Sequence, residues 1–321
     1  MIVITFIEGT LMFFVKTRQR TLAIGMVALA ASAVLTGCAG STSATESPTA
    51  SATVHEDLKA MLPEEIRKSG VISVATPLNN PPAVMADASG HATGIAAEVA
   101  AGMGNVLGVK FEFTESAFAG VIPGLQSGKF DVSMGVIGDT PERQKVLDFV
   151  DLMVNKSVLL VQKNNPDGIT DLESACGKSI GVLAGSLQIP KVKQASDACT
   201  AAGKSSIQIN EYPSTPDGQA QVASGRVAAY IAPYLILNHT AKTAGNGETF
   251  ELAAASYPEN PWAIGLGKDR GQFAEALQGA LLTMVKDGSY AAILNKYESP
   301  DGALNADQVL INGAGTAAFA K

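Results

Sequence analysis

A chain of 321 residues, 46% hydrophobic and 17% charged, is long enough to bury one or two globular cores. Its net charge of −7, with no cluster of Lys and Arg beyond the N-terminal region, excludes nucleic acid as an expected partner, because a phosphate backbone is bound by a basic face. His55, His91 and His239 lie far apart in sequence, so no metal or other cofactor is expected.

Lys16, Arg18 and Arg20 precede an apolar run over 21–35 (TLAIGMVALAASAVL). A bilayer span needs roughly 20 such residues, so the run is short for a transmembrane helix. Leu35-Thr36-Gly37-Cys38 follows at once. Basic residues, a short apolar run, small residues and a cysteine, in that order, resemble the signal peptide and lipobox of bacterial lipoproteins. The resemblance implies that residues 1–37 are a signal peptide, that cleavage precedes Cys38, and that an acylated Cys38 anchors the protein to the outer face of the cell membrane. Residues 39–55 carry almost no large apolar side chain and cannot offset chain entropy by burial. Residues 38–61 are therefore expected to be the lipidated cysteine and a flexible tether.

After Cys38 only Cys176 and Cys199 remain. An exported chain meets an oxidising compartment, where such a pair is expected to form a disulfide. The C-x-x-C spacing of a redox site is absent.

From residue 62 onward short β-rich runs alternate with helical patterns. Strands are expected at 71–74, 109–114, 132–136 and 157–162, and helices at 94–107 and 118–126, the latter stopped by Gly128. Thr140-Pro141-Glu142 has the form of a helix start with Pro at the first position. The pattern then repeats, with strands at 179–183, 207–212, 228–231 and 263–266 and helices at 188–202, 218–224 and 233–243. Phe273, Leu277, Leu281, Met284 and Val285 recur at helical spacing. Two α/β units with a C-terminal remainder point to an α/β fold of two lobes.

Several short segments carry a more specific resemblance. They are Ile66 to Ala75 (IRKSGVISVA), Gly94 to Ala100 (GIAAEVA), Phe118 to Asp131 (FAGVIPGLQSGKFD), Asp139 to Arg143 (DTPER) with Asp148-Phe149, Gly181 to Ser186 (GVLAGS), and Ser224-Gly225-Arg226. In this order and spacing they resemble the extracytoplasmic solute-binding proteins of polar amino acid importers. The resemblance covers about 62–305. It implies the periplasmic-binding-protein type II fold, with two lobes joined by two hinge strands and a ligand cleft between them. Lobe 1 would be 62–157 plus 255–321, and lobe 2 would be 158–254.

The same resemblance implies a ligand site. Arg143 would clamp a ligand carboxylate, for which the planar guanidinium fork is suited, and Thr140 would contact the same group. Phe118 would be an aromatic wall. Gly135 and Val136 would turn backbone groups to the cleft. Gly185 and Ser186 would do so from a turn before a helix, where an anion is favoured. Trp262, the only tryptophan, would border the cleft or pack beside it.

Three positions depart from the family pattern. Pro233 stands where an aspartate for the ligand's α-ammonium is expected, Ala83 where an aromatic wall is expected, and Leu187 where a hydroxyl is expected. A buried ammonium needs a partner. Either another acid supplies it or the ligand lacks a free α-amino group, and no Asp lies between Arg226 and Ala244.

The expected function is capture of a small carboxylate-bearing solute, an amino acid or related organic acid, for delivery to the permease of an ABC importer. The chain is expected not to be an enzyme. The alternatives are a cyclohexadienyl-dehydratase-like enzyme on the same fold, with Glu115 or Asp139 as acid or base, or a ligand sensor for a membrane receptor.

Overall fold

The computed structural model describes residues 54–319. The expected signal peptide, Cys38 and the tether up to residue 53 lie outside the described residues. The chain begins with α1 (Glu56–Ala60), α2 (Glu64–Ser69), β1 (Val71–Thr76), β2 (Asn79–Asn80), β3 (Val84–Ala86), β4 (Ala92–Thr93) and α3 (Ile95–Leu107). There follow β5 (Lys110–Glu115), α4 (Phe118–Gln126), β6 (Val132–Ser133), β7 (Leu147–Met153), β8 (Lys156–Gln162) and β9 (Ser179–Leu183). Then come α5 (Gln188–Ala201), β10 (Gln208–Tyr212), α6 (Thr215–Ala223), β11 (Ala229–Pro233), α7 (Tyr234–Thr243), β12 (Phe250–Pro258), β13 (Trp262–Gly267), α8 (Phe273–Asp287) and α9 (Ser289–Lys296).

Two five-stranded sheets organise these elements, in the orders β5-β1-β6-β13-β7 and β10-β9-β11-β8-β12. In the first, β1 runs parallel to β5 and β6, while β13 is antiparallel to β6 and β7. In the second, β9 runs parallel to β10 and β11, while β8 is antiparallel to β11 and β12. Each sheet forms the core of one lobe. The chain passes between them twice, from β7 to β8 through Val154-Asn155 and from β12 to β13 through Glu259-Asn260-Pro261. These are the two hinge connections of an α/β, two-lobed type II binding-protein fold.

The inner strands are apolar almost throughout because both of their faces are covered. β13 (WAIGLG) is buried along its whole length, and β8 from Ser157 to Val161. One face of the first sheet packs on α3, α8 and α9 through Val99, Met103, Leu277, Leu281 and Leu294, and the other on α4 through Val121 and Leu125. The second sheet is covered by Val192 and Cys199 of α5 on one side and by Val222 of α6 and Leu237 of α7 on the other. Among the described residues no helix is long and apolar enough to cross a membrane.

The expected helix beginning at Thr140 is replaced by a single 3-10 turn, Arg143–Lys145. β7 starts two residues later, at Leu147, so there is no room for a longer helix.

Cys176 and Cys199 form a disulfide across 23 residues of sequence, tying α5 to the segment before β9. Closing a loop of this length stabilises by about 3 kcal/mol in the chain-entropy model. Replacing both cysteines by Ser is expected to lower the melting temperature by roughly 6–12 °C, and a thermal melt of the double variant checks it. An unchanged melt would contradict a stabilising role.

Candidate functional site: a cleft closed around Arg143

The site begins with how the chain holds Arg143. After β6 the backbone forms a bridge between Gly138 and Trp262, and the Asp139 amide donates to Pro261 O at 3.0 Å. Thr140 Oγ1 then accepts from the Arg143 amide at 3.1 Å, and the Gln144 amide donates to Thr140 O at 2.8 Å. This capped turn points the Arg143 side chain inward, where it is only 8% exposed.

The guanidinium spans the two lobes. Its Nη1 donates to Gly138 O at 3.0 Å in lobe 1, and its Nη2 donates to Gly185 O at 3.2 Å in lobe 2. Its carbon stands 5.6 Å from the centre of the Phe118 ring, within cation–π range. Burial pulls the Arg143 pKa down to about 10, opposed first by the charge of Glu259 and then by that of Asp139. The side chain remains a desolvated cation at neutral pH.

A cavity of about 30 Å3 adjoins it. From lobe 1 and the hinges its wall takes Phe118, Val136, Arg143, Glu259 and Trp262, and from lobe 2 Ser186, Leu187, Gln188, Ala232 and Pro233. Gly138 is a point of close approach between the lobes. A Cβ there would stand 2.7 Å from Leu187 Cδ1, so a side chain at 138 would require the Leu187 side chain to shift. Ser186 follows Gly185, whose φ of +75° turns the chain ahead of α5. Ser186 Oγ is buried and has no hydrogen-bond partner among the described residues. A buried hydroxyl of this kind is a group that a ligand atom can satisfy.

The expected site residues thus separate. Arg143, Phe118, Val136, Ser186 and Trp262 meet around one cavity, and Gly185 contributes its carbonyl to Arg143. Thr140 is not on the wall, since its hydroxyl is taken by the turn that presents Arg143. Gly135 is not on the wall either. It sits at φ +121°, where a Cβ would meet Val84 Cγ1 at 3.0 Å, so packing rather than ligand access accounts for it. Ala83 belongs to the lobe 1 core, and Phe118 and Trp262 supply the aromatic surface of the cavity.

Glu259 had no counterpart in the sequence reading. It is 9% exposed, sits in the second hinge and faces the cavity. Pro258 and Asn260-Pro261 flank it. An acid bracketed by prolines beside the only tryptophan was the one available signal. Glu115 and Asp139 lie off the cavity wall. Glu115 accepts from the Leu78 amide at 2.6 Å, and Asp139 from Gln144 Nε2 at 2.8 Å and the Ala314 amide at 2.9 Å. A larger cavity of about 500 Å3 has only exposed acidic and lysine side chains on its wall: Lys156, Lys242, Glu298 and Asp301. The smaller cavity, with its two buried charges, is therefore the candidate site.

Comparison with known proteins gives the family and the fold. Residues 72–300 match the profile of the bacterial extracellular solute-binding proteins, family 3. An arginine-binding protein of Corynebacterium glutamicum is 24% identical over 257 residues, covering 80% of this chain and 83% of that protein. The lysine/arginine/ornithine-binding periplasmic protein of Escherichia coli (strain K12) is 27% identical over 244 residues, covering 74% of this chain and 89% of that protein. An ancestral arginine-binding protein bound to glutamine superposes with a TM-score of 0.65 at 30% identity, over 71% of this chain and 97% of that one. An ancestral amino acid-binding protein described as a precursor of cyclohexadienyl dehydratase gives 0.64 at 27% identity, over 73% of this chain and 97% of that one.

Proposed function

The chain belongs to the bacterial extracellular solute-binding proteins of family 3, and from that premise we propose that it captures an amino acid in the cleft between its lobes and hands it to the permease of an ABC importer. The observation that carries the reading is Arg143. A buried guanidinium that reaches a carbonyl in each lobe is where an incoming carboxylate would gain two charge-assisted hydrogen bonds and join the lobes. Phe118 lies against the clamp, and the unsatisfied Ser186 hydroxyl offers a third contact from lobe 2. The relatives named for binding arginine, lysine and ornithine, one of them solved with glutamine bound, support the same ligand class.

The test is a thermal-shift panel of the twenty amino acids on the purified protein. A ligand at about 100 times its dissociation constant stabilises by roughly 2.7 kcal/mol, several degrees for a chain of this size. A panel in which nothing shifts the melt would sink the reading.

Tethering to the membrane through Cys38 is part of the proposal, on the sequence order described above. Cys38→Ala is expected to move the protein from the membrane fraction to the soluble fraction. Unchanged membrane association of that variant would count against the anchor.

A further inference from the structure

Glu259 is held by both hinges and by lobe 2. Its Oε1 accepts from Gln188 Nε2 at 2.8 Å and from Ser157 Oγ, and its Oε2 accepts from Asn155 Nδ2 at 2.8 Å. Its own amide donates to Asn155 O at 3.2 Å. Gln188 also donates to Ser157 Oγ at 2.9 Å, so the group is a connected network rather than a single contact. Ser157 pairs in register with Pro233 at the end of β11. The carboxylate of Glu259 is thereby brought close to the wall position whose own residue, Pro233, carries no charge.

Both carboxylate oxygens accept in this network, which an amide with its single acceptor oxygen could not match, so the hinge itself favours a carboxylate although desolvating a charge is costly. What the charge adds is polarity across the cavity. Arg143 and Glu259 line the same small space, and Glu259 is the foremost charge keeping Arg143 protonated. A ligand entering there meets one fixed cation and one fixed anion a short distance apart.

We propose that Glu259 holds the α-ammonium of the ligand while Arg143 holds its carboxylate, so that the protein selects free α-amino acids over the same acids without the amino group. The inference rests on the cleft reading above and deepens it. An acid lacking the ammonium, or carrying it acylated, would set two carboxylates, its own and that of Glu259, against the single cation of Arg143, and such a mismatch is strongly rejected.

The experiment is titration calorimetry on wild type, Glu259→Gln and Glu259→Asp. The probes are three matched pairs: L-glutamine with glutaramate, L-arginine with 5-guanidinopentanoate, and L-histidine with imidazolepropionate. Wild type is expected to prefer the amino acid of its cognate pair by at least about 100-fold. E259Q is expected to lose at least about 100-fold in affinity for that amino acid while binding the deaminated acid as well as wild type or better. E259D keeps the charge at shorter reach and is expected to fall between. Its folding keeps the test decisive should E259Q be unstable. Two results would overturn the assignment and leave the cleft reading standing: amino acid affinity in E259Q within about threefold of wild type, or equal wild-type affinity for both members of the cognate pair. Wild type binding none of the twenty amino acids would remove the cleft reading and this assignment together.

Discussion

Arg143→Ala is expected to weaken binding of the cognate amino acid by at least about 30-fold, and Arg143→Lys to recover only part of the loss. Truncating one partner of a buried charge pair costs about 2–5 kcal/mol, and each 1.4 kcal/mol is a factor of ten. Lysine restores the charge but not the planar fork that can meet a carboxylate with two parallel bonds. The substitution also acts on the free protein. Without the guanidinium, Gly138 O and Gly185 O lose their donor, and Glu259 loses the nearby cation. The ligand-free melting temperature of R143A is therefore expected to fall as well. The ratio of ligand affinities, measured by calorimetry below both melts, isolates the binding effect. Affinity within about threefold of wild type would show that the carboxylate binds elsewhere.

Asp151→Asn is expected to flatten the pH dependence of stability between about pH 4 and pH 8 and to stabilise the protein at the alkaline end. Asp151 lies on β7, fully buried, and neither of its oxygens has a hydrogen-bond donor in good geometry among the described residues. Its polar neighbours are the carboxyl of Asp139 and the Gly313 amide, which pulls the other way. Burial first, and then the charge of Asp139, push the Asp151 pKa from the ordinary 3.8 up to about 8. Burial also raises Asp139, against the donors of Ala314 and Gln144.

A carboxyl whose pKa is raised in the folded state binds its proton more tightly there than in the unfolded chain. Its contribution is complete below the unfolded value near 4 and is lost as pH rises through about 8. The slope over that window approaches at most about 1.4 kcal/mol per pH unit. Asparagine resembles the protonated acid and cannot ionise. Urea midpoints at pH 5 and pH 8 check the prediction. Wild type is expected to lose stability between them, and D151N to lose much less. Equal slopes would mean that Asp151 ionises without penalty. The pair also clasps the C-terminal segment, because the Ala314 amide donates to Asp139 and the Asp151 amide to Leu310 O at 2.9 Å.

What the sequence made legible were features written in local periodicity. The apolar spacing from Phe273 to Met284 gave α8, and the short apolar runs gave β1, β8 and β9. The strands that escaped were the two- and three-residue β2, β3 and β4, too short to show a period, and those whose pattern is broken. β7 (LDFVDLM) carries two aspartates, one of them buried, which interrupts an otherwise apolar run. β12 (FELAAASYP) holds three consecutive alanines of weak β-propensity, lies at the edge of its sheet and shifts register between Leu252 and Ser256.

The site divides along the same line. Arg143, Phe118 and Ser186 stand in recognisable local contexts and could be marked by number. Glu259 could not, because it lies in an irregular hinge 26 residues beyond Pro233, and only the pairing of β8 with both β11 and β12 carries it back beside that position. The Asp139–Asp151 pair is likewise a product of the sheet and the C-terminal segment, and nothing in its spacing announces it.

The measurement that bears most directly on the account is calorimetric titration of the wild-type protein with L-amino acids beside their decarboxylated amines: arginine with agmatine, histidine with histamine, glutamine with 4-aminobutanamide. If Arg143 is the clamp, at least one amino acid binds and its amine is weaker by at least about 100-fold, the loss expected when a desolvated guanidinium is left without its anion. An amine that binds within about tenfold of its amino acid would contradict the account.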